Sequence, residues 1–332
     1  MAFANLSDIV ATTIQNRSRT IADNVTKNNA LLAWLQKGGN VKTVSGGNVI
    51  LEEISFAENG NGGAYSGFDL LPVTAQDVIS AAQFNLKQYA VPVVISGLEQ
   101  LQNSGKEALI DLMDARLGVA ESTMENLITQ GLYGDGTAFN GKSITGLDAA
   151  VEGTVTANQT STYGGISRQT WSFWRNYYTT ADISTSQKCQ QVMNAAWGSL
   201  VRGSDRPNLI IMDQNFWSDY LYSLQSIQRF TDSGKAELGF QTIKYMTSDV
   251  VLDGGIGGFA ATGGTGTQPG TAYFLNTKYL KFRPHKDRNM VPLSPNKRYA
   301  INQDAEVQIL GWAGNLTCSG ARFQGRVSAT TI

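Results

Sequence analysis

Residues 48–131 run through two long extended stretches and straight into one long amphipathic helix. This order restricts the folds open to the chain more than any other feature. The extended stretches are 48–57 and 77–96, and between them lies Glu58-Asn-Gly-Asn-Gly-Gly-Ala-Tyr-Ser-Gly-Phe-Asp69, glycine-rich and nearly chargeless. In the first stretch Val49, Leu51, Ile54 and Phe56 alternate imperfectly with polar residues, which predicts a strand exposed on at least one face. The second is too long for a central strand and holds Pro92, which cannot donate to a ladder, so it reads as an edge or bent strand. The helix is predicted to open at Ser104, with Glu107 completing a capping box, and to close at Gly131. Along it Leu109, Met113, Leu117, Ala120, Met124, Leu127 and Ile128 step by threes and fours on one stripe. Roughly 25 residues at 1.5 Å per residue give a rod of about 38 Å. A compact enzyme has little use for an extended arm rooted beside such a rod, whereas a subunit that overlaps its neighbours does.

The flanking segments complete an α+β pattern. Residues 4–36 read as a helical arm: Leu6, Ile9, Val10, Ile14 and Ile21 lie near helical spacing, and Leu31, Leu32, Trp34 and Leu35 form an apolar anchor before Gly38-Gly39. Residues 131–165 are rich in turn residues. Beyond them Ser184-Thr-Ser-Gln187 reads as a second capping box, opening a helix with Val192, Met193, Ala196, Trp197, Leu200 and Val201 on its buried face and Gly203 as its stop. Leu209-Ile-Ile-Met212 reads as a short buried strand, and Asp213 as the cap of a helix carrying Phe216, Trp217, Tyr220, Leu221 and Leu224. Strands are expected at 250–252, 273–276, 299–301, 306–310 and 315–318, with a glycine- and threonine-rich loop at 254–270. The regular strand–helix alternation of a doubly wound sheet is missing.

Composition narrows the function classes. A chain of 332 residues has ample length for a large core, and its charged content of 16% lies well below the usual roughly 25%. With 35 glycines and many Asn, Thr and Ser, that points to a surface covered in good part by other protein. A net charge of −1 lacks the basic excess of nucleic-acid binders. Cys189 and Cys318 lie far apart, without metal-ligand spacing, and read as free thiols. The N-terminal residues show neither the basic nor the apolar region of a signal peptide, and no apolar run approaches the roughly 18 residues of a membrane span. The expectation is a soluble protein made in a cytoplasm.

One stretch of the chain matches a catalytic motif literally. Gly136-Thr-Ala-Phe-Asn-Gly141-Lys142-Ser143 satisfies the P-loop pattern, and Leu209 to Asp213 resembles the strand and aspartate that would hold magnesium. A P-loop needs a strand before its first glycine and a helix after its Lys-Ser. Here the end of a helix precedes, and another glycine follows within three residues, so a glycine-rich turn is the better reading. The glycines at 254–258 never complete a dinucleotide fingerprint. His285, the one histidine, stands in Arg283-Pro-His-Lys-Asp-Arg288 and leaves no multi-histidine metal site. No residue earns a catalytic, cofactor-binding or metal-binding assignment. Trp171-Ser-Phe-Trp174-Arg-Asn-Tyr-Tyr178 reads as core or subunit contact.

The order of parts resembles the major capsid proteins of tailed double-stranded DNA bacteriophages, the phage capsid and encapsulin superfamily. The residues carrying it are an N-terminal arm, the extended hairpin, the long helix, the turn Tyr133-Gly-Asp-Gly136 with Ile144-Thr-Gly-Leu147, and the ending from Gly311-Trp-Ala-Gly-Asn to Gly325. The resemblance implies an N-terminal arm at 1–47, an extended β-hairpin at 48–100, a spine helix and the first part of a peripheral domain at 101–179, an axial domain at 180–275 and a return to the peripheral domain at 276–332. It further implies an icosahedral shell of hexamers and pentamers in a virion, made in a host bacterial cytoplasm. That shell encloses double-stranded DNA without sequence-specific binding, contacts no membrane, and joins a portal. A short N-terminal arm points to a separate scaffolding protein. Some relatives crosslink a hairpin lysine to a neighbour, but no lysine lies between Glu58 and Leu86, so a cement protein or non-covalent contacts are expected instead. Candidate inter-subunit contacts are Asn61, Tyr65, Phe68, Trp171, Trp174, Arg283 and Arg288. The alternatives are a P-loop nucleotide hydrolase using Lys142, Ser143 and Asp213, and an encapsulin-like shell around protein cargo.

Overall fold

The computed structural model describes residues 30–102, 108–225, 242–253, 267–293, 298–299 and 304–330. Helix α1 (Ala30–Lys37) leads to the arm strands β1 (Val49–Ser55) and β2 (Ile79–Asn85), then β3 (Lys87–Ser96), α2 (Gly97–Gln102) and the long α3 (Ala108–Tyr133). A small hairpin, β4 (Thr162–Tyr163) and β5 (Ile166–Ser167), precedes β6 (Tyr177–Ala181), α4 (Ser186–Leu200), β7 (Leu209–Met212) and α5 (Gln214–Gln225). The chain continues through β8 (Thr242–Tyr245), β9 (Ser248–Leu252), β10 (Thr271–Leu275), β11 (Leu280–Pro284), β12 (Val291–Pro292), β13 (Arg298–Tyr299), β14 (Ala305–Cys318) and β15 (Gly325–Ala329).

Two sheets organise these elements. In the first, β14 is central: β3 runs antiparallel along one side of it, and β11, β12 and β13 share the other. Because β3 pairs with β14 alone among the described residues, Pro92 lies on an edge, as its missing N–H requires. The stretch expected as one strand is thus two, β2 and β3, broken at Leu86, each with a different partner. The second sheet has six strands in the order β6-β15-β10-β7-β9-β8. Helices α4 and α5 pack on each other and against it. All four residues of β7 are buried because both faces are covered. Alternation sends Leu209 and Ile211 into the core shared with the first sheet, and Ile210 and Met212 into the core beneath α4 and α5. Tyr273 and Leu275 divide from Ala272 and Phe274 in the same way.

Helix α3 is 26 residues long, and Ala120, Met124, Ile128 and Leu132 form its buried line at every fourth position. Leu117 and Leu127 are half-buried beside it. Gly131 does not stop the helix, which runs on to Tyr133. A Cβ at Gly131 would stand 2.6 Å from Tyr89 Oη and 3.1 Å from Ile144 Cβ, so glycine there serves close packing rather than termination. The box at Ser104 and Glu107 lies outside the described residues, as do Leu6, Ile9, Val10, Ile14 and Ile21 of the N-terminal arm. Within α1, Leu31 and Leu35 are buried, and Gly39 follows with φ +67°.

A reciprocal capping box is formed one helix earlier. Ser96 N–H donates to Glu99 Oε2 (3.1 Å), and Glu99 N–H to Ser96 Oγ (3.2 Å), opening α2. Arg116 of α3 then grips Glu99 with two nitrogens, at 3.1 and 3.0 Å, and donates to Val94 O (2.9 Å). This ties the long helix to β3. The box expected at Ser184 is replaced by Thr185, whose hydroxyl accepts from Lys188 N–H, and α4 ends at Leu200 rather than Gly203. Asp213 does cap its helix, accepting from Asn215 and Phe216 N–H at 3.1 Å each. Strand β15 crosses to the six-stranded sheet and lies parallel to β6 and antiparallel to β10.

Candidate subunit interface

The hairpin of β1 and β2 is laid along the body rather than held clear of it. Its inward positions alternate strictly: Ile50, Ile54, Ala82 and Phe84 enter the core, while Leu51, Glu53 and Ser55 face out. Glu52 is the exception among the inward residues. It is 4% exposed and meets Lys281 Nζ at 2.8 Å, Arg283 Nε at 3.0 Å and Thr317 Oγ1 at 2.9 Å. Burial works against the charge of Glu52. Hydrogen bonds from Lys281, Arg283 and Thr317 outweigh that penalty and hold its carboxyl below the ordinary 4.5. The hairpin is also held along β2. Gln83 N–H donates to Gly164 O (2.8 Å), and Gly164 (φ +58°) lies where a Cβ would come within 2.9 Å of Ala82 Cβ. Asn315 Nδ2 donates to Asn85 O (2.8 Å) at the root.

Past Ser55 the arm leaves the body. Residues 57–77 are all exposed apart from Asn61, which is half-buried. Phe68, Leu70, Val73 and Tyr65 stand in solvent at 107%, 98%, 91% and 67% exposure, with Leu71 at 54%. Single exposed apolar residues are ordinary, but a contiguous set is a mark of an interaction surface. The loop is nonetheless shaped by its own polar groups. Thr74 Oγ1 donates to Asn61 Oδ1 (2.9 Å), Asn61 Nδ2 donates to Thr74 O, and Ser66 N–H donates to Asp69 Oδ2 (2.8 Å).

The seven expected contact residues therefore divide. Tyr65 and Phe68 are exposed on the tip, and Trp171 is 45% exposed in an aromatic group with Phe56 (ring centroids 5.6 Å apart) and Phe173 (5.8 Å) at the foot of the tip. Arg288 is exposed and donates to Gln88 Oε1 (3.2 Å). Asn61 staples the tip. Trp174 is a core residue, 1% exposed, with its indole N–H on Tyr163 O (2.9 Å). Arg283 is spent on Glu52 within the chain. Sequence reasoning missed Glu52 and Arg116. For Glu52 a signal existed: a carboxylate at an inward position of an alternating strand requires a cation opposite.

The P-loop alternative finds no support in this geometry. Helix α3 stands before Gly136 where a strand is needed, and the next helical segment after Lys142-Ser143 is a single turn, Leu147–Ala150. Phe139 and Asn140 sit at φ +54° and +58°, a tight left-handed turn. Asp213 is fully buried and also accepts from Gly270 N–H (2.9 Å). His285 accepts Asp287 N–H in a local turn (3.1 Å). Both cysteines are buried free thiols, each pushed up to about 12 by burial. Among the described residues no helix is long and apolar enough to cross a membrane.

No protein-family model matches the chain, and no curated protein matches it. Solved structures do. The chain superposes on the cyanophage A-1(L) capsid asymmetric unit with a TM-score of 0.68 at 17% identity, covering 96% of this chain and 98% of that one. A chain from Mycobacterium phage Bobi gives 0.57 at 12% identity, covering 99% and 100%. The capsid of the native GTA particle gives 0.57 at 11% identity, covering 98% and 99%. The arm, the long helix and both sheets are thus the parts of one shared architecture, and the chain has the phage capsid fold.

Proposed function

We propose that this chain is a major capsid protein, a structural subunit that assembles with its own copies into the closed shell of a virion, around double-stranded DNA. The observation that carries the reading is an apolar arm tip, Tyr65 to Val73, exposed on a fold matched from end to end by phage capsid chains. In such a shell the tip lies over an adjacent subunit, and its ordering there buries the side chains that its own body leaves in water. Hexamers and pentamers of one subunit supply the curvature. A separate scaffolding protein, a portal and a cement or non-covalent lock complete the particle made in the host cytoplasm. The role is structural, with no substrate to turn over.

Electron microscopy and sedimentation of the purified chain, alone and co-expressed with its scaffold, test this reading together with an assay of the contents. Large closed particles holding DNA are expected. A chain that stays monomeric at high concentration in both settings overturns the shell, and closed particles filled with protein cargo instead of DNA overturn the capsid reading in favour of an encapsulin-like one.

A further inference from the structure

Residues 43–86 hold Glu52, Glu53, Glu58, Asp69 and Asp77 and not one lysine, arginine or histidine. Against a net charge of −1 for the whole chain, those five carboxylates leave the remainder with a surplus of four positive charges. Glu52 is neutralised inside the body by Lys281 and Arg283. The other four are exposed, and none meets a cation among the described residues. The arm is therefore an acidic and apolar element on a basic body.

The matching cations are gathered at one end of the β14 sheet. Segment 41–44 runs parallel beside β11, with Lys42 N–H on Phe282 O and Lys286 N–H on Val44 O, each 2.9 Å. Across β14, Lys87 faces Gly314, which faces Pro284 in turn. Lys87 Nζ reaches Gly141 O (2.6 Å), which brings Lys142 alongside, and Arg288 reaches Gln88. Lys42, Lys142, Lys286 and Arg288 are exposed, and Lys87 half so. None of the five has a carboxylate partner among the described residues, although Asp287 lies among them.

We infer that this basic patch, Lys42, Lys87, Lys142, Lys286 and Arg288, is the seat on which the acidic arm tip of a second copy docks. The inference rests on the shell reading above and names the partner surface of the arm. A copy cannot satisfy its own patch. Its hairpin is pinned to the body, with the root at Asn85 two residues from Lys87, and seven residues of strand carry the tip end about 23 Å away. An acidic tip and a basic seat that are different surfaces of the chain make a heterologous contact, the kind that propagates around a ring of identical subunits. Charge of this sort fixes partner and register more than it adds affinity, which suits a tip whose apolar residues supply the burial.

Charge exchange tests it. Glu58→Lys, Asp69→Lys and Asp77→Lys together reverse the tip, Lys42→Glu, Lys286→Glu and Arg288→Glu together reverse the seat, and a fourth protein carries all six changes. Every substituted side chain is exposed, and the bonds lost, Ser66 N–H to Asp69 and Arg288 to Gln88, lie at the surface, so unfolding midpoints should stay within about 1 kcal/mol of wild type for all. In about 0.1 M salt, where screening extends over about 10 Å, each reversal alone should lower the yield of closed particles at least about tenfold, and the combination should return it to within about threefold of wild type. Wild-type particles, with a combination no better than the seat reversal alone, overturn this contact and leave the shell reading standing. So does a seat reversal that keeps particle yield but loses packaged DNA, which would assign the patch to nucleic acid. A wild-type chain that never assembles removes both.

Discussion

Glu52 shows how one charged side chain can fasten an element that is also packed through Ile50, Ile54, Ala82 and Phe84. A carboxylate 4% exposed is tolerated only because two cations and a hydroxyl converge on it. Those partners come from β11 and β14, more than 220 residues along the chain. Replacing it by glutamine leaves Lys281 and Arg283 facing a neutral group in a largely dry site, and should destabilise the chain by about 3 kcal/mol at neutral pH. The pH dependence has a definite sign. A carboxyl whose folded value is below its ordinary 4.5 stabilises fully above that value and loses the contribution as pH falls through the folded one. The gap between wild type and Glu52→Gln in denaturant midpoints should therefore be wide at pH 7 and close progressively below about pH 4.5. A gap independent of pH would mean that shape, not charge, is what glutamine disturbs. Tyr133 carries the opposite dependence. Burial and the adjoining Asp253 push its hydroxyl well above 10, so it stabilises the fold at neutral pH and loses that contribution as pH rises past 10.

At the scale of elements, the long helix shows which features a sequence discloses. The line of Ala120, Met124 and Ile128 was legible because a period of 3.6 is a local property of the chain. Its end was not, because Gly131 is there for Tyr89 and Ile144, which approach from elsewhere. The break of residues 77–96 into β2 and β3 was equally hidden, since the two differ in their partners and not in their composition. Two alanine substitutions separate the kinds of glycine at this corner. At Gly131 the nearest obstacle is a tyrosine hydroxyl, which can shift, and the better helix propensity of alanine offsets part of the crowding. Gly131→Ala should cost about 1–2 kcal/mol. At Gly146 a Cβ would overlap the backbone carbonyls of Gly131 and Leu132, which cannot yield. Gly146→Ala should be the more damaging of the two, and unfolding midpoints measured side by side should preserve that order.

For the whole molecule, the contact residues expected from the sequence divided according to whether they face the chain's own core. Tyr65 and Phe68 lie on the tip, in a stretch with no periodicity to bury. Trp174 belongs to a denser pattern that looked equally suited to an interface, and its indole went to Tyr163 O instead. Composition alone could not tell those cases apart, because both are aromatic residues among polar ones. The separation between tip and body predicts a clean division of effects. Replacing residues 60–75 by a two-residue turn keeps Phe56 N–H on Val78 O and removes no buried side chain. The shortened chain should unfold within about 0.5 kcal/mol of wild type and should form no closed particles. Loss of stability along with assembly would show instead that the tip supports the body.

The two sheets have one further trait in common. Strand β14 is the middle of one and β15 an inner strand of the other, and both come from residues beyond 304. Chains are synthesised from the N-terminus, and domains take shape as their parts emerge. For this chain β3 and β6, made early or midway, find their partners among the described strands only when β14 and β15 are made. A partly translated subunit therefore has a finished arm sequence beside a first sheet that still lacks its central strand, so it has no completed β14 surface to offer a neighbour.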